Sequence, residues 1–188
     1  MKVFVTGVAG QLGHDVVNEL TKRGHQAVGS DIAPTLESCA SYVPLDITDA
    51  AAVEQTIMQV QPDAIVHCAA WTAVDAAEDE ENQAKVRAIN VDGTKHIAEA
   101  AKKVDAKMVY ISTDYVFDGQ GETPWEPDCK AYAPVNVYGQ TKLEGELAVS
   151  GTVNKFFIVR IAWVFGVNGK NFIKTMLNLG KTHDHLTV

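Results

Sequence analysis

Tyr138 and Lys142 stand four residues apart in Tyr138-Gly139-Gln140-Thr141-Lys142. On a helix that spacing puts both side chains on one face. A phenol beside an ammonium is an acid–base pair. The positive charge stabilises phenolate and is expected to lower the tyrosine pKa from about 10. Such a tyrosine can give or take a proton near neutrality. Ser112-Thr113 closes an apolar run, and a hydroxyl at the carboxyl end of a strand can bond a carbonyl oxygen or the tyrosine itself.

The second constellation is Thr6-Gly7-Val8-Ala9-Gly10-Gln11-Leu12-Gly13, with the spacing G-x-x-G-x-x-G. It follows a strand pattern and opens a helix pattern. Gly7 allows a sharp turn, Gly10 lets the backbone approach a pyrophosphate, and Gly13 lets the helix pack close to the strand. A helix N-terminus there offers free N–H groups and partial positive charge to phosphates. Asp31 comes 18 residues after Gly13, at the end of the second strand pattern. A carboxylate at that place bonds an adenosine ribose 2′-OH and repels a 2′-phosphate. No arginine stands beside it, so NAD(H) is favoured over NADP(H). Asp46-Ile47 follows the third strand pattern, where the adenine edge would lie. Glycine turn, strand-end hydroxyl and Tyr-x-x-x-Lys, in that order, meet the combined criteria for an active site.

The elements that must position these groups alternate along the chain. Strand patterns cover 2–6, 26–30, 42–45, 64–68, 108–111 and 156–161. Helix patterns cover 11–23, 49–60 with Asp49 as N-cap, 80–103 as one long helix, 143–149 and 171–179. The continuous apolar run at 64–68 suits a strand buried on both faces. Such alternation predicts an α/β fold, a doubly wound parallel sheet with helices on both sides. The irregular stretch 114–134 is long for a compact domain, and loops of that length are more often functional than idle.

The chain has 188 residues, 46% hydrophobic and 21% charged, which suits one globular domain and the start of another. Its net charge of −8 argues against nucleic acid as a partner. No apolar run reaches membrane-span length, and Met1-Lys2-Val3-Phe4-Val5 reads as a first strand rather than a signal peptide. Cys39, Cys68 and Cys129 lack zinc or redox spacing and read as reduced thiols of a cytoplasmic protein. Glu78-Asp79-Glu80-Glu81 reads as a charge cluster at a helix N-terminus. His183-Asp184-His185 reads as plain surface.

These residues resemble the extended short-chain dehydrogenase/reductase superfamily, and within it the dTDP-4-dehydrorhamnose reductase family. The runs that carry the likeness are Gly10-Gln11-Leu12-Gly13, Ala69-Ala70-Trp71-Thr72-Ala73-Val74-Asp75, Ser112-Thr113-Asp114-Tyr115-Val116-Phe117-Asp118-Gly119, Pro134-Val135-Asn136-Val137-Tyr138-Gly139-Gln140-Thr141-Lys142 and Arg160-Ile161-Ala162-Trp163. The resemblance implies a Rossmann-type NAD(P)-binding domain over 1–165. It implies that 166–188 begin a smaller substrate-binding region, largely absent from this chain. It implies hydride transfer from NADH or NADPH to the C4 ketone of dTDP-4-dehydro-L-rhamnose, a step toward surface polysaccharide. Thr113, Tyr138 and Lys142 would be catalytic, with Lys142 also holding the nicotinamide ribose. Gly7, Gly10, Gln11, Leu12, Gly13, Asp31, Asp46, Ile47, Ala69, Ala70 and Thr72, with Tyr138 and Lys142, would contact the dinucleotide. Thr113, Asp114 and Trp163 would contact the nucleotide-sugar, although Trp163 also reads as a core aromatic after a buried strand. Some members hold Mg2+ between subunits through an acid in the first helix, where Asp15 stands, and the family allows a homodimer. The regulatory subunit of methionine adenosyltransferase resembles the same family and would use the scaffold as a partner surface; the intact Thr-Tyr-Lys set argues against that reading. A nucleotide-sugar epimerase or 4,6-dehydratase is a third reading. Dehydratases tend to follow the strand-end Thr with Asp-Glu, whereas here Asp114 is followed by Tyr115.

Overall fold

The computed structural model describes residues 1–187. Six parallel strands form one sheet in the order β3-β2-β1-β4-β5-β6. They are β1 Lys2–Thr6, β2 Gln26–Asp31, β3 Tyr42–Pro44, β4 Ala64–His67, β5 Lys107–Thr113 and β6 Phe156–Ile161. The order reverses between β1 and β4, and the chain leaves their carboxyl ends in opposite directions, the place where doubly wound sheets bind ligands.

Helix α1, Gln11–Lys22, packs Val17 on one face of the sheet against Val3, Val5 and Val8. The opposite face carries the larger core. There α2 (Ala50–Val60), α4 (Thr94–Lys103) and α5 (Val137–Thr152) bury Val53, Ile57, Ile97 and Val149 on Phe4, Ile65 and Met108. Asp49 caps α2 by accepting from the N–H of Ala52, as its sequence position suggests. Asn136 caps α5 through the N–H of Gly139. That cap starts the helix at Val137, six residues before the apolar pattern at Leu143 reveals it.

The long helical stretch expected over 80–103 is continuous, but its middle turn is widened. It consists of α3 (Glu80–Arg87), one π-helical turn (Ala88–Gly93) and α4. Gly93 closes that turn, and a Cβ there would lie 2.7 Å from Cγ1 of Ile47. The stretch 114–134 opens with a 3-10 turn at Asp114–Val116. Val116 and Phe117 are buried there, and Phe117 stacks on Trp125 with ring centres 4.4 Å apart, whereas residues 119–128 are exposed. A last helix, α6 (Phe172–Leu179), is capped by Asn171 through the N–H of Lys174. No helix among the described residues is long and apolar enough to cross a membrane, and the three cysteines are free.

Candidate active site

The crevice at the strand ends is a cleft of about 1060 Å³, large enough for a dinucleotide with room beside it. Every residue expected to be catalytic or to contact the dinucleotide or the sugar lines it. Gly7, Gly10, Gln11, Leu12 and Gly13 form one end, with Asp31, Asp46 and Ile47 beside them. Ala69, Ala70 and Thr72 form the middle, and Thr113, Asp114, Tyr138, Lys142 and Trp163 the far side.

The glycine turn is as tight as its spacing implies. Gly7 has φ +72, and a Cβ on it would come within 2.6 Å of the Ala69 nitrogen. A Cβ on Gly13 would overlap the Gly7 carbonyl, so the helix presses on the turn itself. Gly10 precedes α1 without any side-chain cap, and no acid stands in the first turn. The first N–H groups of α1 therefore face the cleft unclaimed, ready for an anion. Asp31 braces this turn. Its carboxylate accepts from the N–H of Ala9 at 3.0 Å and of Ile32 at 2.8 Å. Each oxygen keeps capacity for a ribose hydroxyl. Asp46 accepts from both the N–H and the hydroxyl of Thr48. Ser30, at 1% exposure, carries a buried hydroxyl with no partner, and it too lines the cleft. An orphan hydroxyl, a turn too close for any Cβ and an uncapped helix end fit a bound dinucleotide.

On the reacting side, strand alternation separates the two hydroxyls of Ser112-Thr113. Ser112 donates to the buried Glu146 at 2.6 Å, so its hydroxyl is committed to the core. Thr113 donates to Asp114 and accepts from the N–H of Tyr115 at the cleft wall. Tyr138 lies edge-on to Tyr115 with ring centres 5.8 Å apart.

The electrostatics differ from the sequence expectation. Burial raises the Tyr138 pKa, with the Thr113 hydroxyl pulling it back down. Lys142 is itself 3% exposed, and burial lowers its pKa to about 7, against the opposing pull of Glu146. Its ammonium sits 4.1 Å from the centre of the Tyr110 ring. Desolvation therefore dominates at Tyr138, which is a phenol near neutrality rather than a preformed phenolate.

Trp163 is not a core aromatic: it is 75% exposed at the cleft mouth, edge-on to Phe172, with φ +52. A non-glycine residue held in that region stores strain of about 1–3 kcal/mol, which is found at ligand sites. Asp15 accepts from the side chain of Asn168 at 2.8 Å. No group of three or more metal-ligating side chains occurs among the described residues.

Sequence reading missed the polar frame beneath the cleft. Asn90, in the π turn, accepts from the Trp71 N–H at 2.8 Å and donates to the Trp71 carbonyl and the Thr141 hydroxyl. It thus ties the Ala69–Thr72 wall to the residue before Lys142. His67 bridges Thr6 at 2.8 Å and Thr94 at 3.1 Å, buried and with its pKa lowered to about 3 by desolvation. Thr94 spends its proton on the Asn90 carbonyl, so the His67 Nε2 must donate to Thr94 and Nδ1 must accept from Thr6. The one signal in the sequence was Gly93 inside a helical pattern.

The family model for the RmlD substrate binding domain matches residues 1–188. The chain belongs to the dTDP-4-dehydrorhamnose reductase family. It is 41% identical over 189 residues to dTDP-4-dehydrorhamnose reductase of Shigella flexneri, covering 100% of this chain and 60% of that protein. The crystal structure of a dTDP-4-dehydrorhamnose reductase from Clostridium acetobutylicum superposes with a TM-score of 0.88 at 41% identity, over 99% of this chain and 61% of the other. The Bacillus anthracis dTDP-4-dehydrorhamnose reductase, solved in complex with NADP, gives 0.86 at 39% identity, over 97% and 60%. The chain thus spans about three-fifths of the length of these relatives.

Proposed function

We propose that the protein carrying this chain reduces the C4 ketone of dTDP-4-dehydro-L-rhamnose to give dTDP-L-rhamnose. The observation that carries the reading is the meeting of Thr113, Tyr138 and Lys142 in the cleft that also holds the glycine turn. The names of its relatives support the substrate. A nicotinamide dinucleotide, when bound, supplies the hydride. Gly7, Gly10, Gln11, Leu12 and Gly13 cradle its phosphates, Asp31 takes the adenosine ribose, and Asp46, Ile47, Ala69, Ala70 and Thr72 wall the rest. The Asp31 carboxylate favours NADH over NADPH.

Thr113 orients the substrate carbonyl. As the carbonyl oxygen gains charge, the Tyr138 Oη–H bond breaks and its proton completes the alcohol. A phenol whose pKa burial has raised arrives protonated, which suits reduction. Lys142, poised with a pKa of about 7, stabilises the phenolate that remains. Asp114 and the exposed face of Trp163 hold the nucleotide-sugar. Residues 1–165 form the dinucleotide domain in this reading.

The test follows NADH absorbance in the full-length protein with dTDP-4-dehydro-L-rhamnose present and then withheld. Oxidation only with the sugar is expected. Tyr138→Phe should keep NADH affinity and lose about 10²- to 10⁴-fold in kcat. A wild-type rate in that variant removes Tyr138 from the mechanism.

A further inference from the structure

Residues 166–170 belong by sequence to the start of the substrate-binding region, yet they lie across the free end of α1. Asn168 donates to Asp15 at 2.8 Å, in the second turn of that helix. Asn171 donates to the Gln11 side chain at 3.0 Å and to the Gly166 carbonyl at 2.9 Å. The Lys174 ammonium gathers the carbonyls of Val167 and Gly169 from below. Gly169 has φ +69, and a Cβ on it would stand 3.0 Å from the Gln11 Cβ and 3.6 Å from the Gln11 nitrogen. The loop backbone is thus pressed against the first residue of α1, where the glycine turn meets the helix.

Lys170 follows directly and is one of the residues that line the cleft. Lys22, Lys95, Lys103 and Lys155 are the lysines that pair with carboxylates among the described residues, and Lys170 is not one of them. The other two cations of the cleft are placed elsewhere. The Lys142 charge is buried against Tyr110, and the Lys85 ammonium sits 5.6 Å from the Trp71 ring centre. Asp31, Asp46 and Asp114 make the rest of the cleft acidic. A lysine beside the partial positive charge of the helix end would add to its attraction for a dianionic diphosphate. The orphan Ser30 hydroxyl independently marks the same end of the cleft as built for a polar ligand. Ser30 abuts the turn, its carbonyl accepting from the Val8 N–H.

We propose that loop 166–170 is a strap over the dinucleotide diphosphate, and that Lys170 pairs with that diphosphate; this rests on the dinucleotide reading of the cleft. The strap converts an open helix end into a closed anion site. It also links cofactor binding to the segment that leads toward the sugar.

The experiment is a fluorescence titration of the full-length protein with NADH in the absence of any sugar. Lys170→Gln should weaken NADH and ADP-ribose about tenfold, leave adenosine unchanged and flatten the dependence of Kd on salt. Lys170→Arg should restore most of the affinity, and unaltered Tm in both variants shows an intact fold. NADH should slow hydrogen exchange of residues 168–172 in the wild type and less so in Asn168→Ala. Unchanged NADH affinity in Lys170→Gln, with a raised KM for the sugar nucleotide, would place the lysine on the substrate side and overturn the proposal. Absence of NADH binding by the wild-type protein would instead overturn the reading of the cleft itself.

Discussion

The two halves of the sheet follow the same grammar and are finished to different degrees. Around β1, both faces are covered: Phe4 and Val5 are 0% exposed, with α1 on one side and α2 and α4 on the other. At β6, only one face is. Phe156 and Ile158 pack into the larger core, while Phe157 and Val159 point outward, Phe157 at 68% exposure. The outward face continues onto Val109 and Ile111 of β5, which pair with them. Helix α6 likewise has no buried residue, although Phe172, Ile173 and Leu177 make it amphipathic. Parallel sheets are normally buried on both faces. The comparison teaches that the half which holds the glycine turn is complete within this chain. The edge carries an apolar face that this chain leaves open.

Phe4→Ala and Phe157→Ala test that contrast with one residue type. Phe4→Ala should cost about 3–5 kcal/mol, since it opens a cavity in a closed core. Phe157→Ala should cost about 0.5 kcal/mol or less in a chain of residues 1–188. Urea midpoints of the two variants decide it, and equal losses would show that the outer face of β6 is covered after all.

The inner face of β6 should behave like the core. Arg160 makes two hydrogen bonds to Glu146, which is 2% exposed, and one to the Tyr132 hydroxyl. Removing the guanidinium in Arg160→Met strands a buried carboxylate, at a cost of about 3–5 kcal/mol. Arg160→Met,Glu146→Leu should recover much of that loss. A single variant as stable as wild type would mean that Glu146 finds water or a proton instead.

A smaller effect separates the halves by pH. Lys142 has its pKa lowered from 10.5 to about 7 by burial. Between those values the folded chain binds fewer protons at this site than the unfolded one, so stability rises with pH across the window. Lys142→Met should flatten that rise when urea midpoints are compared at about pH 7 and about pH 9. An unchanged slope would show that Lys142 is solvated.

Much of the site was legible because its parts are local. Tyr138 and Lys142 share a face by helical spacing, and Gly7 and Gly13 declare a tight turn by their own backbone needs. Asp31 ends β2 where the strand pattern places it. The direction of the Lys142 charge was not legible. The spacing puts it on the face of Tyr138, but not over the ring of Tyr110, a residue 32 positions away on β5, where its ammonium lies 4.1 Å from the ring centre. The His67 and Asn90 frame was equally hidden, since each residue bonds to partners on other elements and looks ordinary in its own.

The sequence by itself determined the order of strands and helices, the tight glycine turn and the shared helix face of Tyr138 and Lys142. Those follow from spacing within a few residues, where periodicity and glycine geometry act. Only the tertiary structure decided that the Thr113 hydroxyl lies at the cleft wall while that of Ser112 bonds to Glu146, that burial raises the Tyr138 pKa, and that residues 166–170 lie over α1. Each of these depends on what long-range packing places opposite a group, and burial, not neighbours in the chain, sets its chemistry.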